Sequence, residues 1–133
     1  MPIQLALAAE LRQDADVEQE FEDIELVRNL VAVVIEAQDF EERANLLAQI
    51  PYVARISGPV TFLKLAVDRA KVAASRFNGP VPGQSWVLDD LGRTLGSLLV
   101  WVDEGYLAGL EYAWVTEEPP LTLPAVTQVQ SAP

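Results

Sequence analysis

The chain has 133 residues, a formal net charge of −11, and neither cysteine nor histidine. These numbers exclude disulfides, thiolate metal sites, cysteine nucleophiles and every catalytic arrangement that needs a histidine base. Half of the residues are hydrophobic and 22% are charged, so we expect one folded domain with one core despite the charge. The sequence predicts a protein that is not an enzyme and that holds no cofactor.

The negative charge lies mainly in the N-terminal part of the chain. Residues 1–50 carry 12 acidic and 3 basic groups, a net charge of −9, whereas residues 51–133 carry 8 and 6, a net charge of −2. Such a surface repels nucleic-acid phosphates and anionic membranes, and it attracts basic proteins and divalent cations. We therefore expect a basic protein partner, and we expect no binding to nucleic acid or to membranes.

The first residues, "MPIQLALAAELRQ", lack the basic region of a signal peptide, and Glu10 interrupts their apolar part. The longest unbroken apolar run, from Leu30 to Ile35, has six residues, whereas a membrane helix needs roughly 20. The sequence therefore predicts a soluble, cytoplasmic protein.

Helices are predicted in the N-terminal half. Residues 3–13 are rich in Ala and Leu and predict a short helix, and residues 17–37 predict a longer one. Its β-branched run "LVAVVIEA" leaves a strand as the alternative. Five apolar residues of the longer segment fall on one helical stripe: Ile24, Val27, Val31, Val34 and Ile35.

A third helix is predicted to start near Asp39. Asp39 and Glu42 have the spacing of a capping box, in which two side chains satisfy backbone N–H groups of the first turn. Pro51 ends this helix because the residue before a proline avoids the α conformation. The residues that it should bury are Phe40, Ala44, Leu47 and Ile50.

The C-terminal part predicts an antiparallel sheet. Strands are expected in "YVARISG" and "VTFLKLAVD", and again at residues 85–88, 96–102 and 106–115. The segment "NGPVPGQ" predicts a loop because it holds two Gly and two Pro. The segments "DDLGR" and "DEG" predict turns, the second with Gly105 in the left-handed conformation.

These elements predict an α+β fold, with N-terminal helices packed on a small antiparallel sheet of about four or five strands. We expect a single domain over residues 1–118, with the helical part at 3–50 and the sheet part at 52–115. The last seventeen residues contain four prolines, so residues 119–133 predict an extended or flexible tail.

The stretch "DADVEQEFEDIE", from Asp14 to Glu25, holds seven carboxylates and no basic residue. Like charges four residues apart destabilise a helix, so one interpretation is a surface for a basic partner, and another is a solvated helix face. The stretch also resembles an EF-hand calcium loop, although Gln19 stands where that loop needs Gly. The calcium ligands in this alternative are Asp14, Asp16, Glu18, Glu20, Glu22 and Glu25.

Aromatic residues are concentrated in the last two predicted strands. Strict alternation would place Tyr106, Tyr112 and Trp114 on one apolar face and Glu111 on the other. The aromatic rings serve either as core or as anchors for a partner. A carboxylate in an apolar strand must reach solvent, titrate upward, or pair with a cation. The candidate cations for Glu111 are Arg55, Lys64 and Arg93.

The candidate partner-binding residues combine the acidic stretch with the aromatic hairpin. Catalytic and cofactor-binding residues are not expected, and metal ligands belong to the calcium alternative alone. The candidates are Asp14, Asp16, Glu18, Glu20, Glu22, Asp23, Glu25, Trp101, Tyr106, Tyr112 and Trp114.

From about Leu46 to Pro124 the chain resembles a group of small, mostly uncharacterised bacterial proteins. They end in a strand, a Gly-containing turn, a strand with a Leu-Glu pair, here Leu110 and Glu111, and an acidic-proline tail that begins here at Glu117. The resemblance implies a fold and no agreed activity. Some similar sequences carry Cys-Gly-Cys where this chain has "SGPV", so a thiol role is lost here.

Small acidic bacterial proteins of this size are often immunity proteins. By analogy, the resemblance implies an immunity-type inhibitor of a basic partner protein. The alternative is a structural domain that self-associates through the aromatic hairpin.

Overall fold

The computed structural model describes residues 13–132, with side chains from residue 24 onwards. The predicted helix at residues 3–13 lies, except for its last residue, outside the described part. The described residues form two α-helices and one antiparallel sheet of seven strands, so the α+β class is confirmed. The helices are α1 (Gln13–Glu36) and α2 (Arg43–Gln49), and the strands are β1 (Val53–Ser57), β2 (Phe62–Val67), β3 (Gly79–Pro80), β4 (Gln84–Leu88), β5 (Thr94–Asp103), β6 (Tyr106–Trp114) and β7 (Val129–Ala132).

Helix α1 confirms the longer predicted helix and excludes the strand alternative. Its predicted stripe is buried from Val27 onwards, and Leu30 is buried with it. The helix lies across one face of the sheet. Arg28 Nη2 donates to the carbonyl oxygen of Val53 in β1 at 2.7 Å, and Gln38, just after the helix, donates to that of Ala132 in β7 at 3.1 Å. Neither described helix is long and apolar enough to cross a membrane.

Helix α2 starts later than predicted. It begins at Arg43, and its N-cap residue Glu42 makes no side-chain capping bond. Glu42 Oε1 instead accepts the backbone N–H of Arg76 at 2.8 Å. The expected capping box at Asp39 is therefore wrong, because a loop distant in sequence uses the carboxylate. The fully buried residues of the helix are Leu46 and Gln49, which were not predicted. Of the predicted set, Phe40, Leu47 and Ile50 are partly buried against the core, and Ala44 is exposed.

The sheet is larger than predicted, with the strand order β1-β2-β6-β5-β4-β7 and with β3 paired to β5. Strand β3 lies in the segment for which a loop was predicted. A strand can form there because a proline is tolerated in a short strand at a sheet edge. Strand β7 lies in the predicted tail and pairs with β4, from Gln84↔Ala132 to Val87↔Val129. Residues 129–132 are thus extended as expected, but they belong to the sheet.

The sheet is covered by helix on one face. On β2 the pattern is exposed, buried, exposed, buried, and β4 and β5 also alternate. The buried side chains of the inner face pack with the stripe of α1, and they include Leu63, Leu65, Val87, Leu98, Val100, Leu107 and Leu110. Alternate residues of the same strands point away from the helices.

The β5–β6 hairpin contains a turn and a bulge. Glu104 and Gly105 have positive φ angles of 52° and 82°, as a two-residue turn of this kind requires, so the prediction for Gly105 is confirmed. The pairs Trp101↔Gly109 and Val102↔Leu107 leave Ala108 as an extra residue. This bulge reverses the alternation. The predicted single face is therefore wrong, and Tyr106 lies on the outer face while Tyr112 lies on the inner one.

Candidate protein-binding surface

We call eight neighbouring outward-pointing side chains of strands β2, β6, β5 and β4 the open face. The strand register brings them together in rows. One row contains the pairs Phe62↔Glu111 and Glu111↔Leu99, and another contains Ala113↔Ser97 and Ser97↔Trp86. Side chains of directly paired residues lie on the same face of a sheet. The open face consists of Phe62, Lys64, Trp86, Ser97, Leu99, Trp101, Glu111 and Ala113.

Two large rings of the open face remain in contact with solvent. Phe62 is 42% exposed and Trp86 is 38% exposed. Each ring lies beside a small residue. A Cβ added to Gly109 would come within 2.9 Å of Phe62 Cε1, so the absence of a side chain at this position lets the Phe62 ring lie over the strand. Trp86 is paired with Ser97. Phe62 and Trp86 were not among the predicted partner-binding residues. The alternation of residues along β2 and β4 is the sequence signal that could have indicated them.

Glu111 is a carboxylate in the middle of the open face. Trp101 Nε1 donates to Glu111 Oε1 at 2.9 Å. None of the expected cations forms an ion pair with Glu111 within 4.0 Å. Arg93 instead bonds Asp89 at 2.8 Å. The expected ion pair with Arg55, Lys64 or Arg93 is therefore wrong. Glu111 sits half-buried between aromatic rings, and an indole N–H holds one of its oxygens.

The predicted aromatic anchors divide between structure and surface. Tyr112 is buried in the core, and this burial raises the pKa of its hydroxyl group. The Tyr106 hydroxyl donates to the carbonyl oxygen of Val72 at 3.1 Å, and the Arg69 guanidinium lies 4.6 Å from the centre of the Tyr106 ring. Trp101 belongs to the open face, and Trp114 is 42% exposed at the end of β6. Tyr106 and Tyr112 therefore stabilise the fold.

Buried polar contacts fix the β5–β6 hairpin that carries Trp101 and Glu111. Gln49 is fully buried, and its Nε2 donates to the carbonyl oxygens of Ala73 at 3.1 Å and Gly105 at 2.9 Å. Its Oε1 accepts the N–H of Leu107 at 2.9 Å. The amide of Gln49 thus joins α2, the loop after β2 and the hairpin turn. No sequence pattern marks this glutamine.

The acidic stretch lies on the first half of α1. The helix is continuous through Asp14–Glu25, whereas an EF-hand needs a loop around the ion, so this backbone does not fit the calcium alternative. The side chains of Asp14, Asp16, Glu18, Glu20, Glu22 and Asp23 lie outside the described ones. Glu25 is exposed and pairs with Arg28 at 3.3 Å. No group of three acidic side chains that could hold a metal occurs in the described part.

Two other carboxylates are used by the fold itself. The N–H of Arg76 and the side-chain amide of Asn45 hold the pKa of Glu42 below its ordinary value. The N–H of Arg93 holds the pKa of Asp89 low in the same way, within the turn between β4 and β5. These hydrogen bonds favour the charged form of each group, so both carboxylates act as structural acceptors.

A shallow hollow of about 240 Å³ lies beside Trp86 at the β4–β7 edge. It is smaller than typical sites for small molecules, which measure about 300–1,000 Å³, and it could receive one side chain of a partner. Its lining also includes Leu88, Thr94, Gln130, Ser131 and Ala132. Comparison with family models, curated proteins and solved structures gives no match to the chain.

Proposed function

We propose that this protein is a non-catalytic binding module for a basic protein partner. The observation that carries the proposal is the open face, which presents half-exposed Phe62 and Trp86 together with Glu111, a carboxylate that no described cation neutralises. Aromatic residues are enriched at the energetic centres of protein interfaces. The strands hold these side chains in place before binding, which reduces the entropy lost on association.

The charge of the chain supports a basic partner. A net charge of −11, with −9 in residues 1–50, attracts a basic protein over a distance and raises the association rate. The acidic half of α1 supplies this attraction, and the open face supplies the contact. An immunity-type inhibitor of a basic protein is the most specific form of this proposal.

Self-association through the open face is the second candidate, because exposed Phe62 and Trp86 could pack against the same residues of another copy. Two chains of net charge −11 repel each other, which favours the basic partner over a second copy. Light scattering at tens of micromolar protein separates the two candidates. A dimer that Phe62→Thr dissociates would establish self-association, and a monomer would remove it.

Affinity capture with the tagged full chain tests the partner proposal. We expect a basic protein to be retained from a cell lysate at low salt and released at moderate salt. Phe62→Thr should abolish retention, because it removes an anchor and keeps a residue that suits a strand. Leu121→Thr is the matched control, since Leu121 is 89% exposed outside the sheet. Equal retention by both variants would refute the role of the open face.

Charge reversal tests the contribution of α1. Replacing Glu18, Glu20 and Glu22 by Lys should slow association with the captured protein and weaken its salt dependence. The control replaces three exposed acidic residues outside α1, namely Asp90, Glu117 and Glu118, and changes the net charge equally. If both variants slow association to the same extent, the effect comes from net charge and the acidic half of α1 has no special role.

A further inference from the structure

We infer that Glu111, Trp101 and Phe62 form a subsite that receives an arginine side chain of the partner. This inference rests on the proposed function and deepens it, because it names the group that the centre of the open face recognises. Three features support it: an incompletely used carboxylate, two aromatic walls, and a charge that favours a cationic occupant.

The Glu111 carboxylate has acceptor capacity to spare. An ionised carboxylate offers about four lone-pair positions on two oxygens, and in the described structure it receives one side-chain hydrogen bond, from Trp101 Nε1 to Oε1. Among the described residues, the buried side-chain polar atom that lacks a hydrogen-bond partner is Arg28 Nε, and Glu111 Oε2 is not such an atom. Glu111 Oε2 is therefore not sealed from solvent, and a donor that approaches from the open face can reach it.

The walls of the subsite are aromatic. Phe62 is directly opposite Glu111 on β2, and Trp101 lies diagonally across from it on β5. Gly109, which is paired with both Trp101 and Lys64, adds no side chain between the rings. A guanidinium group is planar, binds a carboxylate through two parallel hydrogen bonds and stacks on aromatic faces. An ammonium group matches the charge but lacks the planar shape.

The neighbouring charges determine how selective this subsite is. Lys64 is a diagonal neighbour of Glu111, and Arg55 is paired with Ala66 on the same side of the sheet. Neither forms an ion pair with Glu111 within 4.0 Å in the described structure. Lys64 therefore opposes an incoming cation by repulsion without occupying the site. The net charge of the whole molecule, −11, attracts that cation in spite of this local repulsion.

N-acetyl-arginine amide, added to the full chain, is the probe for this subsite, and N-acetyl-citrulline amide is its uncharged control. The readout is the resonance of the Trp101 indole N–H in a ¹H–¹⁵N spectrum, assigned with Trp101→Phe. We expect a saturable shift with the arginine compound and none with the citrulline compound. Glu111→Gln should abolish the shift, because it keeps an acceptor for Trp101 but removes the charge.

Two further variants make the test specific. Glu117→Gln removes the same charge at an exposed position of the connection before β7 and should leave the shift unchanged. Lys64→Met should lower the dissociation constant of the arginine compound about two- to fivefold, the effect of one exposed charge pair. An equal loss of shift in Glu111→Gln and Glu117→Gln would overturn the subsite, and so would weaker binding by Lys64→Met.

The outcomes separate this inference from the proposed function. If Phe62→Thr abolishes partner capture and the arginine compound gives no Trp101 shift, the partner binds by apolar contact, and the arginine subsite is wrong while the function stands. If the arginine compound binds through Glu111 but open-face variants leave capture unchanged, the partner uses another surface and the inference fails as a statement about that partner.

Discussion

The two faces of the sheet have opposite surroundings although the same strands build them. On β6, Leu110 is 1% exposed and belongs to the same hydrophobic core as the stripe of α1, whereas its neighbour Glu111 points to the open face and bonds Trp101. The inner face has a partner within the chain, the apolar stripe of α1. The open face carries equally large apolar side chains without a covering helix among the described residues. The comparison shows that hydrophobicity alone does not distinguish core from binding surface in this sheet.

The largest effect should come from truncation of the inner face. Leu110→Ala removes a fully packed side chain, and we expect the free energy of unfolding to fall by about 2–5 kcal/mol. The matched variant is Leu99→Ala on the adjacent strand, which should cost about 1–2 kcal/mol because Leu99 is partly in solvent. Urea unfolding of both variants measures the difference. Equal losses would mean that the open face is packed as tightly as the core.

The buried amide of Gln49 should have the next largest effect. Gln49→Leu keeps the side-chain volume but leaves the buried N–H of Leu107 without an acceptor, at an expected cost of about 2–3 kcal/mol. Gln84→Leu, at an exposed position of β4, is the control and should change stability little. Thermal unfolding of the two proteins compares them. A Gln49→Leu protein as stable as the control would show that the amide does not hold the hairpin.

The indole contact of the open face should contribute less. Trp101→Phe removes the donor to Glu111 while keeping an aromatic ring, and we expect a loss of about 1 kcal/mol because the bond is partly in solvent. In the Glu111→Gln background this variant should cost less, since the amide oxygen still accepts the indole N–H but carries no charge. A double-mutant cycle by urea unfolding measures the coupling. Additive losses would contradict a direct interaction between the two side chains.

The smallest effect should be a change in the pH dependence of stability. The pKa of Glu42 is lowered from its ordinary value of 4.5, so the unfolded chain binds its proton at higher pH than the folded one does. The stabilisation is therefore complete above about pH 4.5 and is lost as the pH falls through the folded pKa. Melting temperatures between pH 6 and pH 3 should fall less steeply in Glu42→Gln. An unchanged slope would show that other carboxylates dominate.

Much of the fold could be predicted because its signals are local. The stripe from Val27 to Ile35 predicted α1, and alternating apolar residues with glycine turns predicted five of the seven strands. The two short strands could not be predicted, since Gly79–Pro80 and residues 129–132 gain their pairing from β5 and β4. The start of α2 was misplaced because Arg76, 34 residues away, recruits the Glu42 carboxylate.

The candidate site was less accessible from sequence than the fold. Trp101 and Glu111 could be singled out from sequence because of their residue types. A bulge at Ala108, however, decided which aromatic rings share a face. Phe62 and Trp86 became candidates once the register placed them beside the hairpin. Side chains separated by up to 51 positions, from Phe62 to Ala113, form one surface, and no sequence period connects them.

The sequence by itself determined the excess of negative charge, the absence of histidine and cysteine chemistry, and the amphipathic patterns that make an α+β domain. These properties depend on residue type and on spacing within one element. The tertiary structure alone decided which face of the sheet α1 covers, that Glu111 meets Trp101 rather than a cation, and that Gln49 holds the hairpin. Such contacts depend on strand register and packing, which local patterns constrain but do not specify.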